Sequence, residues 1–470
     1  MDLLSYAIPA LGDVATRALR EVLDGEIVAR GEAGYHAART VWNGTVDRQP
    51  EVVAYCADVS DVVMALRFAR AHDLVVAVRS GGHSVPGFSV CDGGIVIDLS
   101  RIRGVEVDPT GRIARVAGGS VLGDLDAAAQ AHGLVCPVGA VAHTGVAGLT
   151  LGGGLGHLMR RYGLTIDSLR AVELVTADGR CVRVSADQNA DLFWGLRGAG
   201  ANFGIATSFE FDLHPLEPVV VAGSLIYDIE RASELAGLVR TMPDTAPDEL
   251  VVSMSWRIGP ARPPFGPGLA GRPVAVCSVV YAGPIREAER VLRPLRALGP
   301  VVDSVGPTPY IDLQRRSDNV MAWGRRYYWK GAFVTELSDE LLEVAIHRSV
   351  DVPSPNAAVG LMTLGGAIDR VPDRETAFAA RAGRFWVTAE AVWDDPDDDD
   401  AYLAWGRGAM TAIAPFAMDR NYANDMGRTG VETLRAAYGD ERYARLLALK
   451  RHWDPDNVFR MNHNVRPDAT

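Results

Sequence analysis

Cysteine is scarce in this sequence: 470 residues contain five, at positions 56, 91, 136, 181 and 277. They are scattered, odd in number and form no Cys-x-x-Cys pair, so neither a disulfide framework nor a zinc site is expected. Positive charge is in deficit as well. The 47 Lys and Arg stand against 59 Asp and Glu, a net charge of −12, which argues against nucleic acid or an anionic membrane as partner. No apolar run approaches a membrane span. Met1 to Arg20 lacks a basic start, a long apolar stretch and a small-residue cleavage site, and reads as a helix rather than a signal peptide; a cytoplasmic protein is the expectation. Asn43-Gly44-Thr45 has the pattern of a glycosylation sequon, which means nothing without secretion. Internal repeats are absent. What is present, 48% hydrophobic and 23% charged residues, is ordinary globular composition with room for two domains, or one with a large insertion.

Glycine is plentiful, at 49 residues, and clusters in motifs. The apolar run Leu74 to Val78 reads as a buried strand. It leads into Arg79-Ser80-Gly81-Gly82-His83-Ser84, where two glycines let the backbone turn and gather its N–H groups into a nest suited to an anion such as a pyrophosphate. His83 inside that nest can be a proton shuttle, a metal ligand, a covalent tether or a solvated turn residue. A second segment, Gly139 to Gly156, holds Gly152-Gly153-Gly154-Leu155-Gly156-His157. It misses the GxGxxG spacing of a dinucleotide-binding turn, as does Gly198-Ala199-Gly200 with Gly204, so NAD is not expected.

Along the chain, Ser60 can cap a helix with Val62, Ala65, Leu66 and Ala69 on its apolar face. Ile95 to Leu99 is a strand, and Val105, Val107, Ala114 and Val116 mark short half-buried strands. Val121 to His132 is helical and stops at Gly133. Ala171 to Val184 is a hairpin turning at Asp178-Gly179. Asp191 to Arg197 is a short helix, and Ile205, Phe209, Phe211 and Leu213 share one face of a strand. After Pro218, strands at Val219–Ile226, Val251–Trp256, Val274–Tyr281, Val359–Leu364 and Phe385–Trp393 alternate with helices near Arg231–Met242, Glu287–Leu298, Glu340–Ser349 and Tyr402–Ile413, a separate α+β pattern. Pro260 to Gly268 is a surface loop. Asp394 to Asp400 reads as a solvated helix N-terminus rather than a metal site. Arg325 to Lys330 mixes base and aromatic, and in an acidic chain it reads as pocket lining or ordinary packing. A final helix spans Glu432 to His452.

The Gly81-Gly82-His83-Ser84 turn followed by Gly93-Gly94-Ile95-Val96-Ile97-Asp98-Leu99-Ser100 resembles the flavin domain of the vanillyl-alcohol-oxidase superfamily. Gly145 to Gly156 and the tail Asp454 to Asn462 resemble its berberine-bridge-enzyme branch, and Tyr422-Ala423-Asn424 matches that branch's Tyr-x-Asn element. The resemblance spans about Val41 to Pro467. It implies an α+β fold: a PCMH-type FAD-binding domain in two parts, residues 1–217 and 415–470, with a substrate domain at 218–414 built as an antiparallel sheet covered by helices. It implies FAD as cofactor, joined covalently to His83. Its other contacts would be Arg79, Ser80, Gly81, Gly82 and Ser84; Gly139, His143, Thr144, Gly145, Gly148, Leu149, Gly152, Gly153, Gly154 and Gly156; Gly204 and Ile205; and Tyr422, Asn424, Asn462 and Asn464. Many members add a cysteine link, which by register on Gly152-Gly153-Gly154 falls at Val141. One link is therefore expected, with Cys136 open as a second tether if a loop insertion shifts the register.

The stretch at His143-Thr144-Gly145, with Val41 to Thr45 and Val90 to Gly94, resembles a subgroup that includes the enterocin favorskiiase. There the residues matching Thr144 and Leu149 border an oxygen pocket and a flavin-N5-oxide forms. His143 reads equally as a structural histidine or a cofactor contact. Candidate bases are Tyr422, whose phenol needs a nearby cation or the flavin to lower its pKa, and Glu390, which shares parity with Trp386 and Thr388. The main functional expectation is oxidation of an alcohol or activated C–H of a small secondary metabolite with molecular oxygen as acceptor. An N5-oxide oxygenase acting on a polyketide-like substrate and a redox-silent flavin-binding cyclase or binding module are the alternatives.

Overall fold

The computed structural model of the chain describes residues 11–469. The first sheet has strands β1 (Glu26–Ala29), β2 (Val52–Tyr55), β3 (Val76–Arg79) and β4 (Ile95–Asp98) in the order β1-β2-β4-β3. Strands β2, β4 and β3 run parallel, with β1 antiparallel at one edge. Ile95, Val96 and Ile97 of the inner strand β4 are fully buried, as a parallel strand covered on both faces requires. The helix Val59–Ala71 carries the chain from β2 to β3 and buries Val62, Ala65, Leu66 and Ala69. Its cap is Asp58, not Ser60: the Asp58 carboxylate accepts from the backbone N–H of Asp61, and Ser60 lies inside the first turn. The N-terminal helix is Asp13–Val22; the part of the expected helix before Leu11 lies outside the described residues.

The second sheet is antiparallel, in the order Val105–Asp108, Ile113–Ala117, Gly204–Asp212, Leu169–Thr176, Cys181–Ser185. The expected hairpin turns at Gly179, with φ +79°. The expected long final helix is two, Val431–Tyr438 and Asp440–Trp453, because Gly439 takes φ +77° between them. Both return to the second sheet's core, where Leu434, Tyr438 and Leu446 join Phe203, Phe209 and Phe211. The tail is then pinned by Lys450, whose buried ammonium donates to the Asp454 carboxylate (2.7 Å) and to the carbonyls of Asn202 (2.9 Å) and Phe459 (2.8 Å). Asp454 in turn accepts from the N–H groups of Val458 and Phe459. Lys450→Met leaves that carboxylate buried and uncompensated, so an equilibrium denaturation curve is expected to show a loss of roughly 3–5 kcal/mol.

The third sheet is antiparallel and larger. Its main strands run in the order Val219–Asp228, Pro273–Tyr281, Leu250–Ile258, Ala357–Thr363, Phe385–Trp393, Arg326–Val334. The last of these sits in the Arg325-to-Lys330 region, where no strand is legible from alternation alone. Helices Ala232–Thr245, Ile285–Ala297, Asp339–Val350 and Asp399–Ile413 cover one face, burying Trp256, Val359, Phe385, Val387 and Ala389. The opposite face carries Trp386, Thr388 and Glu390 and meets the first two sheets. Within the acidic run, Asp394 and Asp399 begin the last helix region and hold Arg325 and Arg326 in bidentate pairs.

Candidate functional site

A cavity of about 430 Å³ lies where the three sheets meet. Strand β3 delivers the glycine turn to it. Gly82 takes φ +68°, a conformation that favours glycine. Gly81 crosses Gly145 so closely that a Cβ on either would enter the other's backbone. Two glycines far apart in sequence therefore let the turn and the Gly139–Gly156 segment touch. Ser80 donates to the Gly118 carbonyl (2.7 Å), and the Ser84 hydroxyl accepts from the Phe88 N–H (3.0 Å). These bonds set the loop with Ser80, Gly81, Gly82, His83 and Ser84 along the cavity wall.

His83 is half-buried, stacked on Trp42 (centroids 4.8 Å apart, planes at 20°), with Tyr327 stacked on the far side of Trp42 at 3.7 Å. Its Nε2 lies 2.7 Å from His143 Nδ1, while its Nδ1 has only the Thr144 hydroxyl, at 3.5 Å. Burial, and then the adjacent His143, push the His83 pKa down to about 3, so the ring is neutral. His143 does not line the cavity. It stands behind His83 as its hydrogen-bond partner, with its own Nε2 unpartnered.

Of the other expected contacts, Gly139, Thr144, Gly145, Gly148, Leu149, Gly156, Gly204, Ile205, Tyr422, Asn424 and Asn462 all line the cavity. Five other expected contacts, Arg79, Gly152, Gly153, Gly154 and Asn464, lie off the cavity wall. Arg79 turns away into a buried ion pair with Asp98, because that carboxylate is its register partner on the neighbouring strand β4. Gly152 and Gly153 make room for Asn424, Phe378 and Tyr422, and Gly154 makes room for Thr165. These three pack behind the wall and do not form it. Asn464 lies off the cavity, although its Oδ1 is buried without a partner. Cys136 packs in the second sheet's core beside Leu122 and Leu125, whereas Val141 lines the cavity.

Tyr422 is buried, and its oxygen accepts from the Gly154 N–H (3.2 Å) and Asn424 Nδ2 (2.9 Å). Burial and the neighbouring Asp425 raise its pKa above the ordinary phenol value. Among the described residues no cation offsets them, so the protein groups around Tyr422 favour its protonated form. Glu390 lines the cavity and accepts from the Thr388 hydroxyl (2.7 Å). Burial raises its pKa, opposed by that bond and by Arg257. Trp329, Met362 and Trp386 complete the third sheet's side, and Met461 and His463 extend the tail's. Trp329 falls in the Arg325-to-Lys330 run read as pocket lining or ordinary packing, and Trp386 shares the face of Glu390; Met362, Met461 and His463 are not singled out by the sequence as site residues.

A glycine-lined wall facing an aromatic and acidic one is the arrangement of a cofactor-binding oxidoreductase. Comparison with known proteins makes this specific. Residues 50–185 match the family described as FAD binding domain, and residues 421–466 the family described as berberine and berberine like. An FAD-linked oxidoreductase of Dictyostelium discoideum is 31% identical over 455 residues, 95% of this chain and 96% of that one. The (R)-6-hydroxynicotine oxidase of Paenarthrobacter nicotinovorans is 30% identical over 464 residues, 95% and 98% of the two chains. The solved 6-hydroxy-D-nicotine oxidase of Arthrobacter nicotinovorans superposes with TM-score 0.84 at 29% identity, covering 95% of this chain and 98% of that one. The chain belongs to the berberine-bridge-enzyme-like FAD-linked oxidoreductases of the vanillyl-alcohol-oxidase superfamily, and it is an FAD-dependent enzyme. The residues fit that cofactor. Ser89 Oγ, Asn462 Oδ1 and His463 Nδ1 belong to cavity-lining residues and are buried with no protein partner, which a polar ligand would satisfy. Among the described residues, no helix is long and apolar enough to cross a membrane.

Proposed function

We propose that the chain holds FAD through a single covalent bond to His83 and oxidises an alcohol or activated C–H of a small secondary metabolite, with molecular oxygen as acceptor and hydrogen peroxide as product. One observation carries the reading: a single cavity joins His83 and the glycine turn to Glu390 and the two tryptophans of the third sheet. Bound FAD supplies the two-electron acceptor. Glu390 is placed to take the substrate proton. Tyr422 keeps its ring against Trp386, with centroids 6.4 Å apart, and its phenol proton is free for a ligand. In this reading residues 218–414 form the substrate-binding domain and 1–217 with 415–470 the cofactor domain.

A second reading, an oxygenase acting on a polyketide-like substrate, draws on Thr144 and Leu149, which share the wall beside His83. Leu149 packs its two methyl groups towards Gly139 and Gly154, leaving no slack for a ring. Leu149→Phe is expected to slow reoxidation of the reduced enzyme about tenfold while anaerobic reduction by substrate changes less, as stopped-flow measurement of the two half-reactions would show. Unchanged reoxidation would place the oxygen site elsewhere and remove the support for the oxygenase reading.

A further inference from the structure

We propose that the substrate carries an anionic group, bound by Arg257 and Arg262 beyond Glu390, with Trp329 and Trp386 walling the space for its planar or apolar part. This rests on the reading above that substrate occupies the cavity beside Glu390.

The register of the third sheet places the first arginine. Ser255 pairs with Gly360, Gly360 with Thr388, and Thr388 with Gly331. Two residues further along, Ala358 pairs with Glu390 and Glu390 with Trp329. Arg257 is two residues beyond Ser255, so it points to the same face as Glu390 and extends that row. Only Ala358 separates the two strands. Neighbouring strands lie about 4.8 Å apart, so the Cα atoms of Arg257 and Glu390 are separated by roughly 10 Å, a span a guanidinium can largely cross over an alanine.

The second arginine is brought in by the loop Pro260 to Gly268. Phe265 and nearby Leu269 bury themselves against Ile226, Val274 and Val276 on this same face of the sheet. That anchors the loop, and a backbone turn from Phe265 N to the Arg262 carbonyl (3.0 Å) holds Arg262 at its start. Burial lowers the pKa of both arginines; the Arg262 charge also acts on Arg257, and the Arg325 charge on Arg262.

Neither guanidinium makes a hydrogen bond or ion pair among the described residues, and Arg257 Nε is buried with no partner. Two other half-buried arginines of this region are neutralised, Arg325 by Asp394 and Arg326 by Asp399. Two like charges drawn together out of water cost free energy unless an anion sits between them. Glu390 can balance only one. A carboxylate or phosphate on the substrate balances the other, and a guanidinium can bind it through two N–H donors. The apolar part of such a molecule then has the tryptophan pair as its wall, with ring centroids 6.3 Å apart and planes at 29°.

The probes are benzoate, benzamide and benzylamine, one ring with three charges, titrated into the oxidised holoenzyme at low ionic strength and followed by the flavin absorbance. Benzoate is expected to bind about tenfold more tightly than benzamide, with benzylamine weakest and the preference shrinking as salt is added. Arg257→Gln should abolish the preference of benzoate over benzamide. Arg262→Gln, on the loop and outside the sheet, should reduce it. Equal binding of benzoate and benzamide, tighter binding of benzylamine, or an undiminished benzoate preference in both variants overturns the anion site. A purified protein without the oxidised flavin spectrum defeats the underlying reading; a yellow protein without charge preference defeats the anion site alone.

Discussion

His83→Ala is expected to abolish covalent flavin attachment. Precipitated with acid, the wild-type protein keeps its yellow colour in the pellet, whereas the variant releases all of it to the supernatant, and the flavin-bearing peptide disappears from the mass spectrum. The geometry supports that expectation. The His83 ring is held by stacking on Trp42 and by the His143 contact at Nε2, so its free nitrogen is Nδ1, on the side of the Thr144 hydroxyl that lines the cavity. With its pKa pushed down to about 3, that ring is neutral near physiological pH and keeps an unprotonated nitrogen. Cys136→Ala is expected to leave the pellet as yellow as the wild type. That thiol is fully buried in the second sheet's core, and burial drives its pKa far up, away from the reactive thiolate. A pellet that stays yellow in His83→Ala, or a flavin-peptide mass and spectrum that change in Cys136→Ala, would overturn the single-link proposal.

Glu390→Gln is expected to slow anaerobic flavin reduction by substrate by a factor of about 10² to 10⁴, the range for removing a positioned general base. The same variant should retain its flavin, because Glu390 comes from the third sheet and not from the glycine turn. The pH dependence separates loss of the base from a mere change of shape. Burial raises the Glu390 pKa above that of an ordinary glutamate. Its reactive form is the carboxylate, so the wild-type rate of reduction should climb as pH rises through that raised pKa and then level off. Glutamine has no such proton, so the variant's rate should be flat across the same range. A variant that keeps the rise would return the role of base to another group.

Parts of this protein follow from local chemistry and are legible without a structure. Leu74 to Val78 is apolar and is followed at once by two glycines, so a buried strand running into a sharp turn is dictated by hydrophobicity and by the freedom of Gly82 to take positive φ. Alternation in Phe385–Trp393 groups Trp386, Thr388 and Glu390 on one face. The FAD-binding motifs, and with them the family, stand in the order of the chain. What alternation cannot say is which face of a strand meets the cavity. That was decided when four helices covered Phe385, Val387 and Ala389, leaving the other face to the first two sheets.

Tertiary structure also decided every question that turned on a partner far along the chain. Arg79 left the cavity because Asp98 on the neighbouring strand captured it. His143 became the support of His83, 60 residues away, because Gly81 and Gly145 allow their loops to touch. By sequence, Tyr422 stands first and Glu390 second as candidate base. Burial beside Asp425 keeps the first protonated, whereas Arg257 beside the second favours its charged form. The physical reason is the same throughout. Backbone preference and hydrophobic period are properties of neighbouring residues, but burial and electrostatic environment are sums over everything folded around a group, and only the assembled sheets supply them.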